Sequence, residues 1–110
     1  MDDLSKIITE NEGANGGMDI HLYFNRQIGY YTAYGISAFL ADHIIEGIKS
    51  YSEEFQLPVI IIPSGEVASL RNATNKVEHI PHNYYHFQLR NDYVGKTGYA
   101  KWANGLKKKV

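Results

Sequence analysis

The chain contains no cysteine, and it has only three prolines and one tryptophan among its 110 residues. The absence of cysteine excludes a disulfide scaffold, a thiol nucleophile and any zinc site with thiolate ligands. The chain also lacks a large excess of positive or negative charge. Its formal net charge of −1 provides no overall field that would attract nucleic acid or a membrane surface. No apolar run approaches the roughly 20 residues that cross a bilayer. Hydrophobic residues make up 44% of the chain, which predicts a folded globular protein.

The two ends of the chain differ in charge. Residues 1–17 carry four acidic residues and one lysine, and residues 11–17 hold three glycines and two asparagines. This composition predicts a flexible N-terminal arm at 1–17 without a signal peptide, followed by one domain at 18–110. Residues 90–110 carry six basic residues against one aspartate. The lysine run at 107–109 indicates a solvated tail, with a weak contact to phosphate as the alternative.

The hydrophobic periodicity changes within the first half of the chain. Residues 20–25 alternate between apolar and polar side chains, which predicts a strand with Tyr30–Tyr34 as its hairpin partner. From Ile36 onward, apolar residues recur every three or four positions and predict one long helix over 37–54, the main layer on the sheet. Gly47 lies inside this predicted helix, where it indicates close packing against the sheet.

The segment 57–74 contains the most continuous apolar run, at 59–62. A run that is apolar on both faces predicts a central strand, covered on both sides or at an oligomer interface. The remaining elements are a helix, two strands and a last helix, predicted at 65–72, 77–80, 84–89 and 98–108. Together these elements predict an α+β fold with a small mixed sheet of about five strands, covered by one long and two shorter helices.

The turn Ser64-Gly65-Glu66 between this strand and its helix is the first candidate site. Free backbone N–H groups and the helix dipole favour an anion such as a phosphate at a helix N-terminus. Gly65 lets a ligand approach the backbone, and Ser64 can donate a hydrogen bond to it. The alternative is purely structural, with Ser64 as a helix cap and Glu66 satisfying the dipole itself.

Tyrosine is abundant, with nine copies in the chain. Its rigid ring and polar tip suit binding sites and interfaces. Tyr84 and His86 lie on the same face of a predicted strand. If this strand and the one that carries Tyr31 are neighbours, the rings can form a shelf for stacking a base beside the Ser64 turn and the basic Arg71 and Arg90. The alternative is that the tyrosines cover the core. The candidate ligand-binding residues are therefore Ser64, Gly65, Glu66, Arg71, Tyr31, Tyr84, His86 and Arg90.

Metal and catalytic motifs are not recognisable. The spacing of His79, His82 and His86 matches no metal motif, so neither a metal nor another cofactor is expected. Gly95-Lys96-Thr97 resembles the end of a phosphate-binding loop, but Arg90 stands where the full pattern requires glycine. We interpret that segment as a loop with a helix cap. His86 as a general base lacks an identifiable nucleophile, and no catalytic residue is assigned.

The small size, the absence of cysteine and the Tyr-, Asn-, Ile- and Lys-rich composition resemble small proteins of phages and mobile elements in AT-rich bacteria. The candidate features predict a non-enzymatic protein that sequesters a phosphorylated or nucleotide-like ligand, such as a signalling nucleotide of a host defence system. An inhibitor that masks a host protein is the alternative, and a small hydrolase using His86 or Ser64 is the third hypothesis. We expect a homodimer or higher homo-oligomer in the host cytoplasm, with no membrane and no sequence-specific nucleic acid as partner.

Overall fold

The computed structural model describes residues 2–80, 84–89 and 98–109, with the side chains of 2–5, 75–80 and 109 left out. Six strands and four helices lie within these ranges. In chain order they are α1 (Asp2–Gly13), β1 (Asp19–Asn25), β2 (Tyr30–Tyr34), α2 (Gly35–Asp42), β3 (Ile48–Ser52), β4 (Leu57–Ile62), α3 (Ser64–Asn72), β5 (Thr74–Ile80), β6 (Tyr84–Leu89) and α4 (Tyr99–Lys109). The predicted α+β class is confirmed.

The strands form one sheet in the order β3-β4-β2-β1-β6-β5. All five adjacent pairs are antiparallel. In β1–β2, β3–β4 and β5–β6 the partners are consecutive in the chain, whereas β2–β4 and β1–β6 pair strands that are separated by other elements. The sheet therefore has six antiparallel strands, where the sequence predicted about five in a mixed arrangement. The apolar strand β4 lies inside the sheet between β3 and β2, as its composition predicted.

One face of the sheet, called the core face below, packs against α2, α3 and α4. β1 places Ile20 and Leu22 on it, and β4 places Ile60 and Ile62 on it; all four side chains are fully buried. Phe39 of α2 joins the same cluster. Burying each such side chain contributes roughly 1.5–3 kcal/mol, so this face supplies the main driving force for folding.

The opposite face, called the open face below, is covered in part by α1. Ile8 of this helix is fully buried in a second cluster that contains Tyr23 and Tyr34. The structure thus has a packed helix where the sequence predicted a flexible arm at 1–17. Polar side chains surround the few apolar ones in α1, and glycines follow it closely, so its composition resembles that of a linker. The domain boundary at residue 17 stays a prediction.

The long helix predicted at 37–54 is wrong, because this segment forms two elements. α2 ends at Asp42, and the chain then enters β3, which pairs with β4 along its whole length. Pairing with β4 therefore outweighs the helical spacing of the apolar residues, and this spacing corresponds to a helix only in α2. The close packing predicted at Gly47 is confirmed, although in the loop before β3: a Cβ there would lie 2.7 Å from Ile60 Cγ1.

The later elements follow the sequence-based expectations within a few residues, apart from β5, which begins at Thr74 rather than at residue 77. Among the described residues, no helix is both long enough and apolar enough to cross a membrane.

Candidate functional site

The Ser64 turn forms the start of α3, as predicted, but it is not a side-chain cap. The N-cap residue is Pro63, which makes no side-chain capping bond, and the backbone N–H of Glu66 donates to the Pro63 carbonyl at 2.9 Å. Ser64 and Gly65 are exposed, as is Arg71 in the last turn of α3. A helix start with exposed residues favours an anion only weakly, because water competes for the same groups.

Tyr31 faces the core and does not join a stacking shelf with Tyr84. Its ring packs edge-on against Phe24 and Tyr85, with ring centroids 5.2 Å apart in each pair, and the residue is only 8% exposed. Strand residues alternate between the two faces, so Tyr84 lies on the open face. Tyr31 therefore fills the core, which was the alternative considered for the tyrosines.

Tyr84 and His86 share the open face, as predicted, and belong to a polar row there. His86 Nε2 lies 2.9 Å from Asp19 Oδ1, and the His86 ring stacks on His21 with centroids 4.5 Å apart. His21 Nδ1 in turn lies 2.7 Å from the Tyr84 hydroxyl. The register of β1 against β6 places His21 opposite His86 and so creates this row. Its polar groups bind one another, which suits a role in joining the two strands.

Arg90, His82 and the Gly95-Lys96-Thr97 segment lie outside the described residues, and so does the side chain of His79. The predictions made for them stay predictions. Within the described residues, no group of three histidine, cysteine or acidic side chains is placed to hold a metal ion. Of the described ring-bearing candidates, Tyr84 and His86 lie together on the open face, whereas Tyr31 lies on the core face.

One candidate site among the described residues is an open cleft on the core-face side of the molecule, between α4 and the segment that leads from α2 into β3. Its volume is about 480 Å³, within the range of small-ligand sites. The lining residues are Asp42, Lys49, Gly98, Lys101, Trp102, Gly105 and Leu106. Gly105 of α4 and Gly98 just before this helix carry no side chain, and a Cβ at Gly105 would meet no atom within 4 Å.

Asp42 contacts two of the other residues that line this cleft, Trp102 and Lys49. Its Oδ2 accepts a hydrogen bond from Trp102 Nε1 at 3.1 Å, and its Oδ1 lies 3.2 Å from Lys49 Nζ. The Trp102 ring is also held by Phe39, whose ring lies edge-on at a centroid distance of 5.4 Å. The indole is therefore fixed before any ligand arrives, and preorganised contacts reduce the entropic cost of binding.

The cleft carries an excess of positive charge. Lys49 is balanced by Asp42, whereas the exposed Lys101 has no ion-pair partner among the described residues. Farther along α4, Lys107 lies over the Tyr51 ring, with its Nζ 5.9 Å from the ring centroid. An aromatic surface with an unbalanced lysine beside it suits a planar ligand that carries an anionic group.

A buried polar cluster, separate from the cleft, lies where α1 meets the start of α2. Glu12 accepts the Ser37 hydroxyl at 2.6 Å and the Ser37 backbone N–H at 2.9 Å, and Asn15 donates to it at 3.4 Å. Burial raises the pKa of the Glu12 carboxyl from 4.5 to about 7, and these hydrogen bonds oppose the increase. The carboxylate occupies the positive end of the α2 dipole, a place where acidic groups are stabilised.

Glu12 also contributes to the raised pKa of a neighbouring tyrosine, Tyr99. Burial, followed by the charge of Glu12, raises the pKa of Tyr99 to about 12. Glu12, Tyr99 and Gly35 line a smaller cavity of about 300 Å³ beside α1. Because the Ser37 hydroxyl is fully buried and already bound to Glu12, it is not available to a ligand.

Sequence reasoning missed the cleft because its residues are far apart in the chain and because Lys49 was assigned to a helix. The single tryptophan, Trp102, within the predicted last helix was the one available signal. Asp19 and His21 could have been found from the alternation in β1, which places both on the same face as Tyr23. Glu12 could not, since it was assigned to the flexible arm.

Comparisons with protein-family models, with curated proteins and with solved structures give no match for this chain.

Proposed function

We propose that the protein is a non-enzymatic binder of a small phosphorylated, nucleotide-like ligand, and that the α2–β3–α4 cleft is its binding site. The observation that carries the proposal is the fixed Trp102 ring in a cleft of about 480 Å³ with Lys49 and Lys101 beside it. The indole offers a stacking surface for a base, and such stacking contributes about 1–3 kcal/mol per base. The lysines offer charge to the phosphate.

The charges of the cleft favour one ligand class over others. Asp42, Lys49 and Lys101 together leave one positive charge, which suits a monophosphate or a cyclic phosphate better than a neutral sugar. A simple inorganic anion would leave the indole and the apolar lining of the cleft unused. The ligand is therefore expected to combine a planar group with a phosphate in one molecule.

The proposal also includes the absence of turnover, the location of the protein and its oligomeric state. Sequestration requires binding without turnover, and it fits a site formed by an indole and lysines rather than by a nucleophile and a base. The cytoplasm of the host cell is where such a ligand, including a signalling nucleotide of a defence system, would be met. A homodimer is part of the same proposal.

Isothermal titration calorimetry with a panel of nucleoside monophosphates, cyclic nucleotides and ADP-ribose tests the proposal, with inorganic phosphate as the ligand without a base. The variant Lys101→Glu reverses the unbalanced charge at the cleft, and we expect affinity for a bound nucleotide to fall at least tenfold. The matched control is Lys108→Glu, an exposed lysine on the same helix that does not line the cleft.

Two results would overturn the proposal. One is the absence of measurable heat and of any thermal shift for the whole panel at millimolar ligand. The other is an equal loss of affinity in Lys101→Glu and Lys108→Glu, because this would show a general attraction to basic charge instead of binding in the cleft.

A further inference from the structure

The outer edge of β3 is open. This strand is at the end of the sheet, and among the described residues its backbone pairs only with β4. It contains no proline and no bulge, and Ile48 is 63% exposed at its start. Its one charged residue, Lys49, is already held by Asp42. Unpaired backbone groups along a regular edge are a template for another strand.

The opposite edge of the sheet is different. β5 has an irregular register between Thr74 and Lys76, where its pairing with β6 is interrupted. Its sequence, TNKVEHI, carries a lysine and a glutamate. Bulges and charged side chains are common ways in which proteins prevent edge-to-edge pairing. β3 has no such irregularity of register, and its single charged side chain, Lys49, is engaged by Asp42.

We propose that the β3 edge pairs with β3 of a second copy of this chain, antiparallel and around a two-fold axis at Ser50. This register is the one that pairs all five residues of the strand. It places Ser50 opposite Ser50 of the second copy, and Lys49 opposite Tyr51. A register centred on Lys49 would place two lysines against each other, which disfavours pairing. An interface of this kind is isologous and closes as a dimer.

The pairing of Lys49 with Tyr51 reproduces a contact that the chain already makes within itself. Lys107 lies over the same Tyr51 ring at 5.9 Å, so this ring attracts a lysine in the folded chain. In the sheet, Lys49 and Tyr51 lie on the same side of β3 as α4. The second copy would therefore bring its Tyr51 beside the Lys49–Asp42 ion pair, at the border of the cleft described above.

The dimer does not depend on ligand binding, and its test uses mass and cross-linking alone. Because the chain has no cysteine, Ser50→Cys introduces a single thiol. Under mild oxidation we expect this variant to form a disulfide-linked dimer with at least tenfold higher yield than Ser69→Cys, an exposed serine on α3. Equal yields from the two variants, or none from either, would overturn the proposed register.

A charge exchange at the same position separates loss of pairing from misfolding. Light scattering should give the unmodified chain twice its monomer mass of 12.5 kDa. Ser50→Lys and Ser50→Glu should each be monomers, because like charges meet at the axis, and an equal mixture should restore the dimer. A monomeric unmodified chain at all concentrations, or dimers that survive both substitutions, would contradict the proposal. A dimer without nucleotide binding would refute only the proposed function.

Discussion

The two faces of the sheet hold their helices by different means. On the core face the fully buried contacts are apolar, including those of Phe87 and Leu22, whereas the ion pair of Asp42 with Lys49 is partly exposed. On the open face, the described part of α1 contributes one fully buried apolar side chain, Ile8, and otherwise attaches through hydrogen bonds of Asn11 and Glu12. Apolar burial acts at any pH, whereas a buried carboxylate ties attachment to its protonation. The core face thus determines whether the chain folds, and the open face determines whether α1 stays attached.

The largest effect is expected on the core face. Phe87→Ala removes a fully buried ring from β6 and should lower the free energy of unfolding by about 3–5 kcal/mol. That is a large share of the 5–15 kcal/mol typical of a domain. Urea denaturation measures it, with the exposed neighbour Gln88→Ala as control. A loss below about 1 kcal/mol would show that the core face does not dominate stability.

Ile8→Ala should detach α1 and leave the sheet intact. Ile8 is fully buried and Ile7 is 45% exposed, so Ile7→Ala is the matched control on the same helix. We expect hydrogen exchange of the α1 amides to accelerate at least tenfold in Ile8→Ala, with little change in β1 and β6. Global loss of protection in Ile8→Ala would instead mean that both faces unfold together.

The pH dependence of α1 attachment should follow Glu12. A folded-state pKa of about 7 against an ordinary 4.5 means that the stabilising form is protonated. Its contribution is therefore fully present below about pH 4.5 and is lost as the pH rises through 7, by an amount on the order of 3 kcal/mol. The protection factors of the α1 amides, which correct for the intrinsic increase of exchange with pH, should fall over this window.

Glu12→Gln is the control for that pH dependence. The amide cannot ionise, so the variant should lack the part of the change that Glu12 contributes, while titration of the histidines affects both proteins alike. Identical pH profiles for the two proteins would contradict the assignment of this effect to Glu12.

The smallest change in stability is expected at the cleft. Asp42→Asn removes the partner of Lys49, and a partly exposed ion pair of this kind contributes about 1 kcal/mol or less. The same substitution frees a positive charge beside Trp102. We expect several-fold tighter binding of a nucleotide in calorimetry, with an unfolding midpoint close to that of the unmodified chain. Weaker binding would show that Asp42 itself is needed to receive the ligand.

Much of the fold could be predicted from local pattern. Alternation identified β1 and β6, the apolar run identified β4, and the Pro63-Ser64 break identified the start of α3. The pattern failed at β3, where Ile44 and Ile48 keep a helical spacing although the strand pairs with β4. Such pairing depends on residues about ten positions away, and no local periodicity encodes it.

The candidate site was harder to predict than the fold. Tyr84 and His86 were placed correctly on one face, but their partners Asp19 and His21 come from β1, more than 60 residues earlier in the chain. The cleft requires α4 to pack beside β3, and β3 itself was not predicted. Residues that are close only in the tertiary structure cannot be brought together by spacing alone.

The proposed binding site can be tested most directly at the indole N–H of Trp102. The chain has one tryptophan, so this group gives a single, unambiguous resonance in a nitrogen–proton correlation spectrum. Titration with the nucleotide panel should shift that resonance saturably for at least one member, and Lys101→Glu should weaken the response at least tenfold. An unmoved indole resonance at saturating nucleotide, while amides elsewhere in the chain shift, would contradict binding in the cleft.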